Sequence, residues 1–547
     1  MKETLKSLLR DALKAIGAPE DTHIEIEVPR EEKFGDLSSP VAMGLARALK
    51  KNPRQIAEDI IANLPGREMF SNIEIAGPGF INFTFIPAFL QKALSIVLTD
   101  GAASLRSDIG QGRKIQIEYV SANPTGPLHL GHGRGAALGG ALAKLLQAAG
   151  YDVTCEYYVN DAGRQVIMLG ESVFCRYLAL FGKDYPMPED GYRGEYVEDV
   201  AREMKDSEGD RYINTEFGDV ERIFIDFALE RMLGLIKKDL GEFNIPFDSW
   251  QSERALHEEG SVKHAVEFLR DKGLIYEKDG AIWFNAEKFG DDKDRVVIKS
   301  DGTHTYFASD IAYHLKKVES GFEEVIDIWG ADHHGYVARM EAVMDALGPG
   351  REKLTVLLVQ MVSLMRGGEP VQMSKRAGEF VTLKDLIDEV GADIVKFIFL
   401  TRRHDSQLAF DLEAAKAESS ENPVFYVQYA GARVNSIFIK AESEGVDTSG
   451  LEAADLSALT HEDELRLMRK ILGYSMAFEQ AARAREPHKI TFYLQELAGQ
   501  FHPFYNVHRV IGDDQAQTRA RLALCKAVRL VIVEGLTLLG LSSPDRM

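Results

Sequence analysis

Cysteine is scarce. The 547 residues hold three, Cys155, Cys175 and Cys525, an odd total with no Cys-x-x-Cys pair. That excludes a disulfide framework, argues against a cysteine-built zinc site and fits a reducing compartment. Positive charge is also short: 64 Lys+Arg stand against 85 Asp+Glu, a formal net charge of −21. Taken whole, the chain does not clamp nucleic acid by bulk charge. Long apolar runs are missing as well. The most apolar late stretch, Ala527 to Leu541, is broken by Arg529 and Glu534 and reads as a core helix, not a membrane span. The opening MKETLKSLLRDALKAIG carries Glu3 and Asp11 within an amphipathic pattern, so it is not a signal peptide. A cytoplasmic protein is expected, with no membrane partner. There is no internal repeat and no low-complexity tract.

What is present is ordinary globular composition, 45% hydrophobic and 27% charged, in a chain too long for one core. Residues 1–105 read as a small α+β unit. A helical pattern leads to a strand, IEIEV, then to an Ala/Leu-rich helix through Leu49. Asn52-Pro53 caps another helix, and SNIEIAGPGFINFTF forms two strands around a Gly-Pro-Gly turn. At Lys114 the pattern changes. KIQIEYVS, a Pro/Gly loop, a small-residue helix to Ala149 and YDVTCEYYV form a βαβ unit, which predicts a parallel sheet. A mostly helical, acidic insertion spans about 170–300. The sheet resumes with VIDIWGADHH and LTVLLVQMVSL, and only helical periodicity is visible after Asp411. The expected fold class is multidomain α/β: an N-terminal α+β unit at 1–105, a doubly wound parallel-sheet core at 106–410 with its insertion, and an all-helical unit at 411–547.

The sharpest local feature is SANPTGPLHLGHG. His129 and His132 lie three apart where a strand gives way to a helix, at the carboxyl edge of a parallel sheet. A helix N-terminus suits phosphate, Gly131 and Gly133 let a flat ring or phosphate approach the backbone, and two imidazoles can donate to oxygens that gain charge. Taken alone, the His pair also suits a metal half-site, and GHGRG is only a weak dinucleotide fingerprint. A second feature lies far downstream. In RGGEPVQMSKRAGEFVTLKDL, Met373, Ser374 and Lys375 sit on a small-residue loop before Thr382, which is placed to cap a helix. A lysine there can swing onto a polyphosphate.

Together HLGH and MSKR resemble the two signature motifs of class I aminoacyl-tRNA synthetases. EYVSANPTGPLHLGHGRGAALGGAL, YYVNDAGRQ, THTYFASDIAYH, GADHHGY and QYAGARVNSI narrow the resemblance to the arginyl-tRNA synthetase family, over essentially the whole chain. The resemblance implies a Rossmann-like, HUP-type catalytic core and a reaction in two steps. ATP activates L-arginine as an adenylate, which is then transferred to the 3′-terminal ribose of tRNA(Arg), releasing AMP and pyrophosphate. Positioning and charge stabilisation suffice for that chemistry. His129, His132 and Lys375 become the catalytic group, with Gly131, Met373 and Ser374 beside ATP. Mg²⁺ accompanies ATP, and no structural zinc is expected.

For arginine, matching family positions places Ser121, Ala122 and Asn123 at the main-chain end, with His132 nearby. Tyr306 and Asp310 fall at the guanidinium side, and Glu118 adds negative charge. A planar, permanently charged guanidinium calls for carboxylates placed to receive its fork. A family Gln position near the fifth strand aligns with His333, or with His334 after a one-residue gap. One family branch carries a Lys where this chain has Gly126, so Lys375 carries the phosphate charge alone. The helical C-terminal (DALR-type) domain is expected to bind the anticodon, with Phe425, Tyr426, Tyr429 and Arg433 at its start, half of them core, and the N-terminal unit to reach the D-loop corner. Residues 171–250 hold 10 basic and 19 acidic side chains, whereas 465–547 hold 12 basic and 7 acidic. tRNA is therefore expected along the last helices, with binding that weakens as salt rises. A monomer is expected. The alternatives are a small-molecule adenylyltransferase, which leaves two appended domains unexplained, and a synthetase-like RNA-binding protein without catalysis, against which both motifs are intact.

Overall fold

The computed structural model describes residues 1–29, 31–371, 381–419 and 421–547. The second motif, with Met373, Ser374 and Lys375, lies outside the described residues.

The first helix, Lys2–Ala15, buries Leu5, Leu9, Ala12 and Leu13 along one stripe. It packs on the helix Pro53–Ala62, which lies against a three-stranded antiparallel sheet in the order Leu37–Ser39, Phe80–Phe85, Phe70–Ala76. Asn52 caps Pro53–Ala62 as expected, accepting the Arg54 N–H at 2.9 Å. Two local expectations differ. IEIEV makes only a single bridge, Glu27 to Ser38, because the strand beside it is three residues long. The Ala/Leu helix splits into Val41–Gly44 and Ala46–Leu49, with a break after Gly44, a poor residue for a helix interior.

The central unit is a five-stranded sheet in the order Leu354–Val359, Glu324–Gly330, Lys114–Glu118, Asp152–Val159, Ser249–Ser252, parallel throughout. Chain order runs outward from Lys114–Glu118 in one direction, then returns on its other side. The switch point therefore falls between Lys114–Glu118 and Glu324–Gly330, where ligands bind in open α/β sheets. Two stretches are cut differently from their sequence reading. Ser249–Ser252 is a core strand inside the 170–300 region. LTVLLVQMVSL breaks at Gln360–Met361, so that Val362–Arg366 joins a separate small sheet with Leu408–Asp411 and Glu369–Pro370. The acidic region packs Arg164–Ala179 against Glu195–Glu208 and Phe217–Glu242.

The C-terminal unit is built on four long helices, Pro423–Ser443, Glu462–Ala484, His488–Val507 and Gln515–Leu538. The helix Pro87–Asp100 packs against two of them. Glu534, which interrupts the apolar late stretch, receives both arms of Arg106 at 2.6 and 2.8 Å, so the buried charge has its partner. No described helix is long and apolar enough to cross a membrane, and all three cysteines are free and buried.

Candidate functional site

Beyond Glu118 the first core strand gives way to a loop, and the loop delivers His129 as the N-cap of Leu130–Ala148. His129 Nδ1 accepts the Gly131 N–H at 3.1 Å, and the His129 N–H donates to His132 Nδ1 at 3.3 Å. This is a reciprocal capping box made of two imidazoles. Because each Nδ1 accepts from the backbone, a neutral ring carries its proton on Nε2, on the edge away from that backbone. The rings stack with centroids 3.6 Å apart. Two imidazole N–H donors thus stand together at a helix N-terminus, the arrangement that receives anionic oxygens.

The chain re-enters the described region at the same place. Thr382 bridges to His129, and the Leu383 N–H donates to Leu128 O at 2.7 Å. Thr382 caps Leu383–Val390 in a second reciprocal box with Asp385, so the start of this helix is tied to the first motif. Gly133 has a different reason from the one its sequence suggests. A Cβ there would lie 2.7 Å from Leu383 and 3.1 Å from Phe399. Its bareness lets helices close under the site rather than a ligand approach.

The turn after the first strand is strained: Val120 and Ser121 have φ of +68° and +38°, a region that a β-branched residue occupies only under constraint. The constraint is visible. Ser121 Oγ donates to Glu118 Oε1 at 2.9 Å and accepts the Tyr158 N–H at 3.1 Å, and Tyr157 Oη donates to Ala122 O at 2.8 Å. Asn123 closes the turn, donating to Gln165 at 2.7 Å and accepting from Asn160 at 2.8 Å.

Tyr306 opens the helix Tyr306–Glu319, capped by Thr305, and is 64% exposed. Its hydroxyl lies where a Cβ on Gly163 would sit 2.4 Å away, and Gly163 has φ +86°; only glycine fits there. One turn on, Asp310 accepts from the Tyr336 hydroxyl, and burial pushes its carboxyl up. Two further carboxylates join it. Glu253 is buried and pushed up to about 7, by burial first and then by Asp310 and Asp161. Asp161, also buried, accepts from Ser252 Oγ at 2.7 Å and the Arg254 N–H at 2.9 Å. Glu253, Asp310, Glu118 and Asp161 all act on the Tyr158 hydroxyl, which burial and these charges hold in its neutral form. Among the described residues, Asp161, Glu253 and Asp310 have no ion-pair partner. Two buried carboxylates and a half-buried one, none held in an ion pair, make a place suited to a cation.

Glu118 is different. Its Oε2 lies 2.7 Å from Lys317 Nζ, so its charge is already answered within the fold. His333 stands exposed on the turn Ala331–Tyr336, 3.7 Å from Asp332, after the fourth core strand in chain order rather than the fifth. The sequence reading missed Asp161, Glu253 and Tyr336. Asp161 and Glu253 lie just past the ends of Val159 and Ser252, at the carboxyl edge of the sheet. Position at that edge was the signal that could have found them.

In the helical unit, Arg433 lies over Tyr429 and Tyr505, with 4.6 and 4.9 Å to the ring centroids, and donates to Tyr429 Oη at 3.1 Å. Phe425 stacks on Tyr429. Phe425, Tyr426 and Tyr429 are all half-buried. The positive excess of the last helices does not stand free. Arg466 pairs with Glu32, Arg469 with Asp36, Lys470 with Glu496, Arg485 with Glu324 and Arg521 with Glu464. That excess ties the helices to each other, to the N-terminal unit and to the core sheet, which weakens the electrostatic argument for tRNA along them.

Three family models match the chain. Residues 3–85 match the arginyl tRNA synthetase N terminal domain, 93–407 the catalytic domain of class I (R) tRNA synthetases, and 427–547 the DALR anticodon binding domain. The arginine–tRNA ligase of Syntrophotalea carbinolica is 50% identical over 554 residues, covering 100% of each chain. That of Bacillus subtilis is 45% identical over 552 residues, covering 100% of this chain and 99% of its own. The Thermus thermophilus arginyl-tRNA synthetase structure shares the fold, with a TM-score of 0.78 at 22% identity and complete coverage of both chains.

Proposed function

The chain belongs to the arginyl-tRNA synthetase family, and from that premise we propose how its residues divide the work of joining arginine to tRNA. The enzyme is an arginine–tRNA ligase: ATP, L-arginine and tRNA(Arg) yield arginyl-tRNA, AMP and pyrophosphate. ATP enters as its Mg²⁺ complex, the metal arriving with the substrate.

The arginine guanidinium enters the group formed by Asp161, Glu253 and Asp310. The single observation that carries this assignment is that these three carboxylates, among the described residues, stand in no ion pair while the neighbouring Glu118 does. Tyr306 closes the mouth of the pocket, and Tyr336 orients Asp310 by donating to it. At the other end, Asn123, held by Asn160 and Gln165, receives the α-amino or carboxylate group, beside Ser121 and Ala122. Glu118 contributes from behind, through Ser121. The His129 and His132 Nε2–H groups donate to the α-phosphate as the arginine carboxylate attacks it in line. Lys375, in the motif that precedes Thr382 in the chain, draws off pyrophosphate with Ser374 and Met373. His333 borders the pocket at its rim.

The helical unit takes the anticodon and the N-terminal unit the D-loop corner, with the Phe425–Tyr429–Arg433 group offering flat and cationic surface for bases. The free, buried cysteines support a reducing, cytoplasmic setting. A monomer suffices for this scheme, and sedimentation tests it. The reaction is tested by arginine-dependent ATP–pyrophosphate exchange and aminoacylation, each with and without tRNA(Arg). Absence of both activities in every condition refutes the enzyme reading, and exchange with another amino acid refutes the specificity.

A further inference from the structure

Three acidic side chains lie in register across neighbouring parallel strands: Asp327 beside Glu118, and Glu118 beside Glu156. All three are buried. Paired positions share a sheet face, so the strands alone set like charges side by side. The helix Tyr306–Glu319 answers all three. Lys317 Nζ lies 2.7 Å from Glu118 and 2.9 Å from Asp327, His314 Nε2 lies 3.0 Å from Asp327, and Tyr313 donates to Glu156 at 2.5 Å. Residues 313, 314 and 317 share one helical face.

Every path out of Lys317 ends at a group assigned above to the substrate. Its own helix carries Asp310 and Tyr306, two and three turns earlier. Glu118 uses its second oxygen for Ser121, in the strained turn that presents Asn123. Asp327 lies on the strand that leads to Tyr336, which donates to Asp310. We propose that Lys317 is a positioning residue that sets the distance between the main-chain end and the guanidinium end of the arginine site, and so selects for side-chain length. The inference rests on the division of the site made above. A buried ion pair is weak evidence for stability, since apolar groups of equal volume often serve as well. What a fully satisfied buried network supplies is one fixed geometry, and this one joins the two elements that grip opposite ends of the same molecule.

The test compares arginine with homoarginine, one methylene longer, using the full-length enzyme. In aminoacylation, Lys317→Met raises KM for arginine about tenfold, leaves KM for ATP within about twofold, and raises the homoarginine-to-arginine ratio of kcat/KM about tenfold. Lys317→Arg keeps the charge, lengthens the strut and shifts the same ratio about threefold in the same direction. It decides the question alone if the Met variant does not fold, as judged by thermal unfolding. Folded variants that lose kcat/KM for both amino acids by one factor, or that raise KM for ATP in parallel, overturn the proposal and leave Lys317 a core ion pair. A wild-type enzyme that fails to arginylate refutes the enzyme reading instead, and an Asp310→Asn variant with unchanged KM for arginine refutes the underlying site assignment.

Discussion

Two groups of carboxylates at the edge of one sheet meet their charge in opposite ways. The pair Asp327–Glu118 is answered by Lys317 and His314 from a single helix, while Glu156 beside them takes the neutral donors Tyr313 and Gln116. The group Asp161–Glu253–Asp310 takes its hydrogen bonds from neutral donors, Ser252, the Arg254 N–H, Ser309 and Tyr336, with Arg254, His314 and Arg339 nearby but in no ion pair with it. Residues of the same type therefore carry different meanings, and the discriminating fact is whether the fold supplies the counter-charge. Where it does, the carboxylates are architecture. Where it does not, the protein holds costly buried charge in place for a cation from outside.

The largest break in this comparison is made at Asp310. Asp310→Asn lowers kcat/KM for arginine by about 10³-fold while KM for ATP stays within about twofold. A parallel rise in KM for ATP would place Asp310 on the nucleotide side. Next comes the phosphate end. Lys375→Ala slows adenylate formation about 10²-fold with tRNA affinity nearly unchanged, measured by single-turnover kinetics and filter binding. Equal loss of tRNA binding would give that loop another role.

Stability separates the two groups by sign. Burial pushes Asp327 up, but Lys317 and His314 outweigh it and hold the carboxyl at about 2. Its contribution is present above the ordinary 3.8 and lost as pH falls toward 2. Glu253 is raised from 4.5 to about 7, so its stabilising effect exists below 4.5 and is lost as pH rises through 7. Glu253→Gln therefore stabilises the protein by about 2 kcal/mol at pH 8 and is neutral at pH 4, whereas Asp327→Asn destabilises at pH 7 and converges on wild type toward pH 2. Urea unfolding at those pH values checks both, and the same sign for the two variants would erase the distinction. The smallest effect is at Tyr306, which is exposed: Tyr306→Phe raises KM for arginine by about threefold, the worth of one modest hydrogen bond.

The local structure around His129 and His132 was legible in the sequence because its logic is local. A strand, a Gly/Pro loop and two histidines at a helix start are read within a few residues, as is Thr382 capping its own helix. The first parallel pair was also legible, since KIQIE and YDVTCEYYV announce a βαβ unit. The acidic pocket was only half legible. Asp310 stood beside Tyr306 in one helix, but Asp161 and Glu253 come from separate strand ends and meet only in the folded sheet. Gly133 was misread because the sequence does not show that Leu383, two hundred and fifty residues later, would press against it. The pairing of the last helices' charge excess was hidden for the same reason: partners such as Glu32, Asp36 and Glu324 lie far away in sequence.

The central claim, that the substrate's guanidinium is the missing cation of Asp161–Glu253–Asp310, is tested most directly by the pH dependence of KM for arginine. Glu253 must ionise near pH 7 to receive the guanidinium, so in wild type KM falls about tenfold between pH 6 and pH 8 while KM for ATP does not follow it, and in Glu253→Gln the arginine KM stays flat. A flat wild-type profile, or an equal slope in the variant, would contradict the account.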